Sequence, residues 1–429
     1  MLETHSLPGP ENVTRRELPN GIVVLARENF ASPSVVISGS LRAGALYEPW
    51  QGHQTGLAGF AAAALMRGSG RFDFRQIYEQ IESVGASLGI AGGTHTTGFH
   101  GKCLAEDLGR LFGILADVLR RPAFPADQIE RLRGELLTGL AQRDQNTGAV
   151  AGMAFDQLAY PGHPYGSPDD GFPDTIRAIT RDDLAAFHRK HFGPNGMIVA
   201  VVGGIPAQQA VALAEEHFGD WSNPDQPPEP GLPALGPLDG RREKRVPLAG
   251  KSQSDLVLGA PGPARSDPDF LAALLGNNIL GRFGLYGRIG DAVRDAAGLA
   301  YYSYSSISGG LGPGPWEVIA GVNPANVDRA VDLIRAEVRK FTTRKVTPTE
   351  LGDNQANFIG RLPLQLESNE GVAAAMINTE LYNLGLDYYQ RLPDLIKAVK
   401  RENILAVAQR YLDPDQYVLA VAGPEENAE

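Results

Sequence analysis

Two stretches of this chain align without a gap at an offset of 220 residues. They are "PDTIRAITRDDLAAFHRKHFGPNGMIVAVVGG" (Pro173 to Gly204) and "PDLIKAVKRENILAVAQRYLDPDQYVLAVAGP" (Pro393 to Pro424). Pro173 matches Pro393, Pro194 matches Pro414 and Gly203 matches Gly423. Each copy reads as helix, turn and buried strand, the strand being the apolar run "MIVAVVG" or "YVLAVAG". Earlier segments follow in the same order. "RRELPNGIVVLAREN" opens one half and "RREKRVPLAGKSQSDLVLG" the other, and "FPADQIERLRGELLTGL" and "VTPTELGDNQANFIGRL" begin long helices at similar depth. A duplication constrains the fold more than any local pattern. It predicts two homologous α+β domains, each a mainly antiparallel sheet with helices packed on it, because strands and helices do not alternate strictly.

The boundary is the segment "WSNPDQPPEPGLPALGPLDG", with Pro224, Pro227, Pro228, Pro230, Pro233 and Pro237. Such density removes backbone donors and favours a semi-rigid polyproline II spacer. It puts residues 1–222 in the first domain, 223–240 in the linker and 241–429 in the second. The length of 429 residues is itself too great for one core.

Composition excludes several classes. A net charge of -11 without basic clustering argues against a nucleic-acid surface. The one basic run, Arg241 to Arg245, reads as a solvated strand entrance. Cys103 is the only cysteine, which rules out an intrachain disulfide and a thiolate metal site. The start of the chain has no apolar core and carries acids early, so it is not read as a leader. No apolar run approaches the ~20 residues needed to span a bilayer. A soluble, cytoplasmic protein is expected.

Candidate chemistry is sparse. His188 and His191 lie three apart on one helix but lack a carboxylate partner. "LAEEHF" imitates an inverted zinc motif with Leu213 where a histidine would be needed. His95 and His100 fall in an alternating segment read as an exposed edge strand. Phosphate-cradling and nucleophile-elbow motifs are absent. In "GDAVRDAAGLAYYSYSS", a helix carrying Arg294 is capped by Gly298 and turns into a strand. Alternation puts Tyr301, Ser303 and Ser305 on one face, Tyr302 and Tyr304 on the other. Arg294 and Tyr301 could converge as a site. They could also be an arginine complementing a helix dipole and a tyrosine of an ordinary strand.

One helix is unusually bare. "GLAGFAAAALMRGSG" (Gly56 to Gly70) offers only Phe60, Leu65 and Met66 to pack before Arg67. Either another backbone approaches it closely, or side chains with a task have been lost from it.

At these residues the chain resembles the pitrilysin-like zinc peptidases, the insulinase and mitochondrial processing peptidase group, whose fold is a LuxS-like duplication. Active members carry a helix like G-L-A-H-F-L-E-H-M-L-F-K-G-T. Its H-x-x-E-H holds zinc with two histidines and uses the glutamate as general base. In that register Gly59 and Ala63 stand at the histidines and Ala62 at the glutamate. Gly139, 76 residues after Ala63, stands at the family's third ligand, a glutamate. The family's R-x-x-x-G-[LF]-x-Y pattern is kept as Arg294, Gly298, Leu299 and Tyr301. "GRFGLYGRI" is a shortened form of the element that precedes it.

The resemblance implies no zinc and no cofactor in this chain, which would be inactive alone. Arg294 and Tyr301 would act in trans on peptide substrates at the zinc site of a homologous H-x-x-E-H subunit, in a heterodimer. The rival reading is a non-catalytic peptide-binding or scaffold protein derived from a peptidase.

Overall fold

The computed structural model describes residues 7–49 and 54–425. The first residues of the chain, on which the leader reading rests in part, and the outermost ends of the two expected domains lie outside that range.

The first half runs β1 (Thr14–Glu17), β2 (Val23–Glu28), β3 (Ser34–Leu41), α1 (Leu57–Ala64), α2 (Phe74–Glu82), β4 (Ser87–Gly92) and β5 (Thr97–Leu104). It continues with α3 (Leu108–Arg120), α4 (Ala126–Arg143), α5 (Thr147–Ala159), α6 (Pro173–Ala178), α7 (Arg181–His191), β6 (Ile198–Gly203) and α8 (Ala207–Phe218). The second half runs β7 (Arg242–Pro247), β8 (Ser254–Pro261), α9 (Phe270–Gly281), α10 (Phe283–Ile289), β9 (Ala300–Gly309) and β10 (Pro313–Val322). After these come α11 (Val327–Thr343), α12 (Pro348–Gln365), α13 (Asn369–Leu381), α14 (Tyr388–Ala398), α15 (Arg401–Tyr411) and β11 (Val418–Gly423).

The duplication is explicit in the sheets. One has the order β1-β2-β6-β3-β5-β4 and the other β7-β11-β8-β10-β9. Without β1 the two orders coincide. In each, the first and last strands of the copy pair in parallel (β2 with β6, β7 with β11) and every other pairing is antiparallel. The expectation of two α+β domains built on mainly antiparallel sheets holds. The repeat also holds to the residue, since β6 and β11, and α7 and α15, begin 220 positions apart.

The chain forms two compact units. One comprises residues 1–140, 168–231 and 362–391, the other residues 141–167, 232–361 and 392–429. Chain order alone does not define them, for α5 lies in the second unit and α13 in the first. These two helices are equivalents, offset by 222 residues, so each copy has given the same helix to the other's sheet.

That exchange explains why β6 and β11 are apolar throughout. In the first unit Val199 and Val201 join the core formed with α1, α3, α7 and α8. Ile198, Ala200 and Val202 face Val372, Ala373 and Met376 of α13. In the second unit Leu419 and Val421 point to the core formed with α9, α11 and α15. Val418, Ala420 and Ala422 face Ala151, Ala154 and Phe155 of α5. A strand buried on both faces needs no alternation. Burying each large apolar side chain there contributes about 1.5–3 kcal/mol.

Candidate functional site

Helix α1 begins at Gly56, whose φ of 94° is left-handed, and its first N–H groups need acceptors from outside the helix. Buried Glu48 supplies them. One carboxylate oxygen accepts from Gly56 N–H at 3.0 Å and the other from Ala58 N–H at 2.6 Å. Burial raises the Glu48 pKa to about 8 despite these two bonds, which pull the other way. No feature of the sequence pattern singled out this residue.

Both explanations of the bare helix now have content. A Cβ on Gly92, at the end of β4, would lie 2.9 Å from Gly59 Cα. A Cβ on Gly56 would lie 2.9 Å from Gly171 Cα. Strand β4 and the loop at Asp169 to Gly171 thus lie on α1 backbone to backbone, which larger side chains would prevent. Along α4, Arg133 sits 5.3 Å from the Phe60 ring centroid and Glu135 pairs with Arg67.

The four positions matched to the zinc motif offer no donor atom. Ala62 is fully buried. A Cβ on Gly59 would meet the Asp169 carbonyl oxygen at 3.2 Å, whereas Gly139 faces open space. The residues present therefore do not fit a zinc ion. Nor do three or more His, Cys, Asp or Glu gather elsewhere among the described residues.

Three of the described histidines pack as structural residues. His188 Nε2 lies 2.8 Å from the Leu119 carbonyl oxygen. His191 is buried against Tyr47 and Phe187, where burial lowers its pKa to about 4. His217 stacks on Phe112. The expected histidine-bearing edge strand is corrected. His95 lies in the turn between β4 and β5, and His100 lies on β5, which is paired on both sides by β3 and β4. The edge is β4.

Arg294 lies in a π-helical turn spanning Gly290–Ala296. Gly298, with φ 64°, ends the turn and donates its N–H to the Arg294 carbonyl at 3.0 Å. This is the expected glycine cap. The guanidinium lies 5.7 Å from the Tyr286 ring centroid and 3.7 Å from Asp295. Its Nη1 is buried without a hydrogen-bond partner. Tyr286 itself holds φ 78° in α10, whose backbone leaves helical geometry over residues 284–287.

Tyr301 departs from the alternation read from the sequence. Ala300 pairs with Val322 and Tyr302 with Gly321, leaving Tyr301 as an extra residue, a β-bulge. Ser303 and Ser305 are fully buried while Tyr301 is 87% exposed, so the three do not share a face. Tyr302 points to the opposite side from these serines. Its hydroxyl donates to Asp255, which also accepts from Thr147 and, at 3.0 Å, from Gln253. Tyr304 packs beside Tyr302 and Tyr286, with Arg282 over its ring. Arg294 and Tyr301 sit at the two ends of one turn, but Arg294 packs on Tyr286 rather than on the Tyr301 phenol.

Comparison with known proteins covers nearly the whole chain. Residues 23–168 match the family described as insulinase (peptidase family M16), and residues 178–358 match the peptidase M16 inactive domain. An uncharacterised zinc protease of Mycobacterium leprae is 26% identical over 412 residues, covering 96% of this chain and 92% of its own. The beta subunit of a mitochondrial-processing peptidase from Lentinula edodes is 23% identical over 426 residues, covering 95% and 89%. The crystal structure of a peptidase M16 inactive domain from Pseudomonas fluorescens superposes with a TM-score of 0.85 at 26% identity, covering 97% of this chain and all of that one. Among the described residues no helix is long and apolar enough to cross a membrane. The repeated sheets and these matches have one reading: the chain belongs to peptidase family M16.

Proposed function

We propose that this chain is the non-zinc subunit of a heterodimeric peptidase, bringing Arg294 and Tyr301 to peptide bound at a homologous subunit that carries H-x-x-E-H. The observation that carries the reading is the bulge at Tyr301. It leaves a phenol 87% exposed in a chain whose own zinc positions hold only glycine and alanine. An exposed phenol on a paired strand can donate to a substrate carbonyl oxygen as negative charge develops there, with little reorganisation. The Arg294 guanidinium offers a planar donor fork suited to a backbone carbonyl, and its buried, unpartnered nitrogen is a donor awaiting an acceptor. The relative named as one subunit of a processing peptidase supports a paired assembly. This chain would supply substrate and transition-state contacts, and its partner the hydrolytic machinery.

The test is reconstitution. The chain is purified alone, a homologous H-x-x-E-H protein from the same genome is purified alone, and the two are mixed. Peptide cleavage should be absent for this chain alone and rise strongly on mixing, with a stoichiometric complex by light scattering. Full activity of the partner alone, with no complex formed, would leave the peptide-binding or scaffold reading in its place.

A further inference from the structure

Beside the bulge lies a polar cluster that the sequence pattern did not reveal. Asp255 on β8 is 3% exposed, so its carboxylate requires partners. Three side chains donate to it: Tyr302 from β9, Thr147 from the first turn of α5, and Gln253 from just before β8. Tyr302 reaches it by lying across the intervening strand β10. Its path crosses Gly321, where a Cβ would stand 2.7 Å from the ring, 2.9 Å from an Asp255 oxygen and 2.6 Å from the Gln253 amide. Only glycine leaves room for the ring there.

We propose that Asp255, Tyr302 and Gly321 form a cross-strand brace that fixes the bulge and thereby sets the direction of Tyr301; its consequence for turnover, though not the brace itself, rests on the function proposed above. The side-chain period of a strand is two, so a slip of one residue turns each side chain to the other face. Strand β9 already carries such a slip near its start, where residue 301 is extra opposite the step from Gly321 to Val322 of β10. What must be specified is where the slip falls. Tyr302, held opposite Gly321 by its bond to Asp255, places the extra residue at 301 and at no neighbour. If β9 slid so that Tyr301 paired with Gly321, the phenol of Tyr301 would turn toward Asp255 and Tyr302 would lose its seat. Burial, with the hydrogen bond to Asp255, raises the Tyr302 pKa, so the hydroxyl stays protonated and keeps donating. Asp255, Tyr302 and Gly321 are positioning residues that act through Tyr301.

The test places 3-fluorotyrosine at position 301 of the full chain and follows its fluorine resonance. In the parent protein a single sharp exposed signal is expected. Tyr302→Phe and Gly321→Ala should broaden it or split it, and Asp255→Asn, which keeps one acceptor oxygen, should disturb it less than Asp255→Ala. In the reconstituted complex Tyr302→Phe should lower kcat by at least about tenfold at near-constant KM, within the ~10² that a 1 Å misplacement can cost. An unchanged fluorine signal in both Tyr302→Phe and Gly321→Ala, whatever their thermal stability, overturns the brace. Should Asp255→Ala fail to fold, Tyr302→Phe, which removes a single oxygen, still decides the matter. If Tyr301→Phe itself leaves kcat unchanged, the functional reading falls while the fluorine experiment still tests the brace.

Discussion

The same sheet is built twice in this chain, and the two copies differ at the edge formed by β4 in one and β9 in the other. In the first unit edge strand β4 ends against α1, with Gly92 meeting Gly59 backbone to backbone. In the second unit edge strand β9 swells into a bulge, exposes Tyr301 and lies beside a guanidinium nitrogen with no partner. One edge has become packing. The other retains features that stability alone would remove, since an exposed aromatic adds little to the fold and a buried unpaired donor costs about 1–3 kcal/mol. A cost carried by one copy and not by the other supports the proposed site in the second unit, and each prediction below is a way to break or sharpen that contrast.

The largest effect is expected in the second unit. In the reconstituted complex Tyr301→Phe should lower kcat by ~10²–10³ while assembly and the partner's zinc content stay intact. Arg294→Ala should raise KM as well, because a guanidinium that grips the substrate backbone contributes to binding before the reaction. Steady-state kinetics on one peptide reads both. A Tyr301→Phe complex with unchanged kcat would make the two edges functionally equal.

A second test uses one acid from each unit, buried Glu48 and half-buried Glu317. Burial raises the Glu48 pKa to about 8, and burial followed by the nearby Asp156 raises that of Glu317 to about 7. Both folded values exceed the ordinary glutamate value of about 4.3. The folded state therefore binds more protons than the unfolded one between these limits. The stability contributed is complete below about pH 4 and is lost as the pH rises through 7 and 8. Melting temperature should fall over that window. Glu317→Gln should flatten the decline up to about pH 7, and Glu48→Gln the decline up to about pH 8. The Glu48→Gln protein should also start lower, because an amide cannot accept from both Gly56 and Ala58. A melting temperature independent of pH from 5 to 9 would contradict the assignment.

A smaller effect is expected where the first unit's edge has closed. Gly59→His puts back one residue type of the zinc motif matched by resemblance but places a Cβ 3.2 Å from the Asp169 carbonyl oxygen. Overpacking of this kind costs about 1–3 kcal/mol, measurable as a lower urea midpoint. Neutral behaviour would mean that the helix is bare through loss alone and that its small residues serve no packing.

Much of this was readable from the residues, and the failures share a cause. The repeat at an offset of 220 located β6, β11, α7 and α15 because a duplicated sequence refolds into a duplicated structure. The local pattern around Arg294 located a helical segment, the Gly298 cap and the strand after it, though not the π form of that helix. The exchange of α5 and α13 was not legible, because an apolar helix face does not say which of two similar sheets it will cover. The bulge was missed for a related reason. Strict alternation in "AYYSYSS" puts Tyr301 with Ser303 and Ser305, whereas Tyr302 is seated by its bond to Asp255 of β8, distant in sequence. The proline-rich segment was read as a spacer, yet Gln226 accepts from Asn195 N–H at 3.0 Å in the first unit and Leu235 and Leu238 pack on the second unit's sheet. Period-three leucines at 232, 235 and 238, matching three residues per turn of polyproline II, were a usable signal.

The smallest expected effect separates two of the positions matched by resemblance to the zinc motif. Gly139 lies on the exposed side of α4, and a Cβ there meets nothing within 4 Å. Glutamate is a better helix former than glycine, so Gly139→Glu should change unfolding free energy by no more than about 0.5 kcal/mol, the range of ordinary surface substitutions, and in the stabilising direction. Gly59→His and Gly139→Glu both restore a family residue, yet only the first forces a side chain into contact with another backbone. If loss of zinc was followed by closure of the edge over α1, their costs should differ by more than 1 kcal/mol. If the positions merely drifted to small residues, both substitutions should be tolerated alike, and Gly59 would then be as open in solution as Gly139. Urea titrations of the two single variants decide between these.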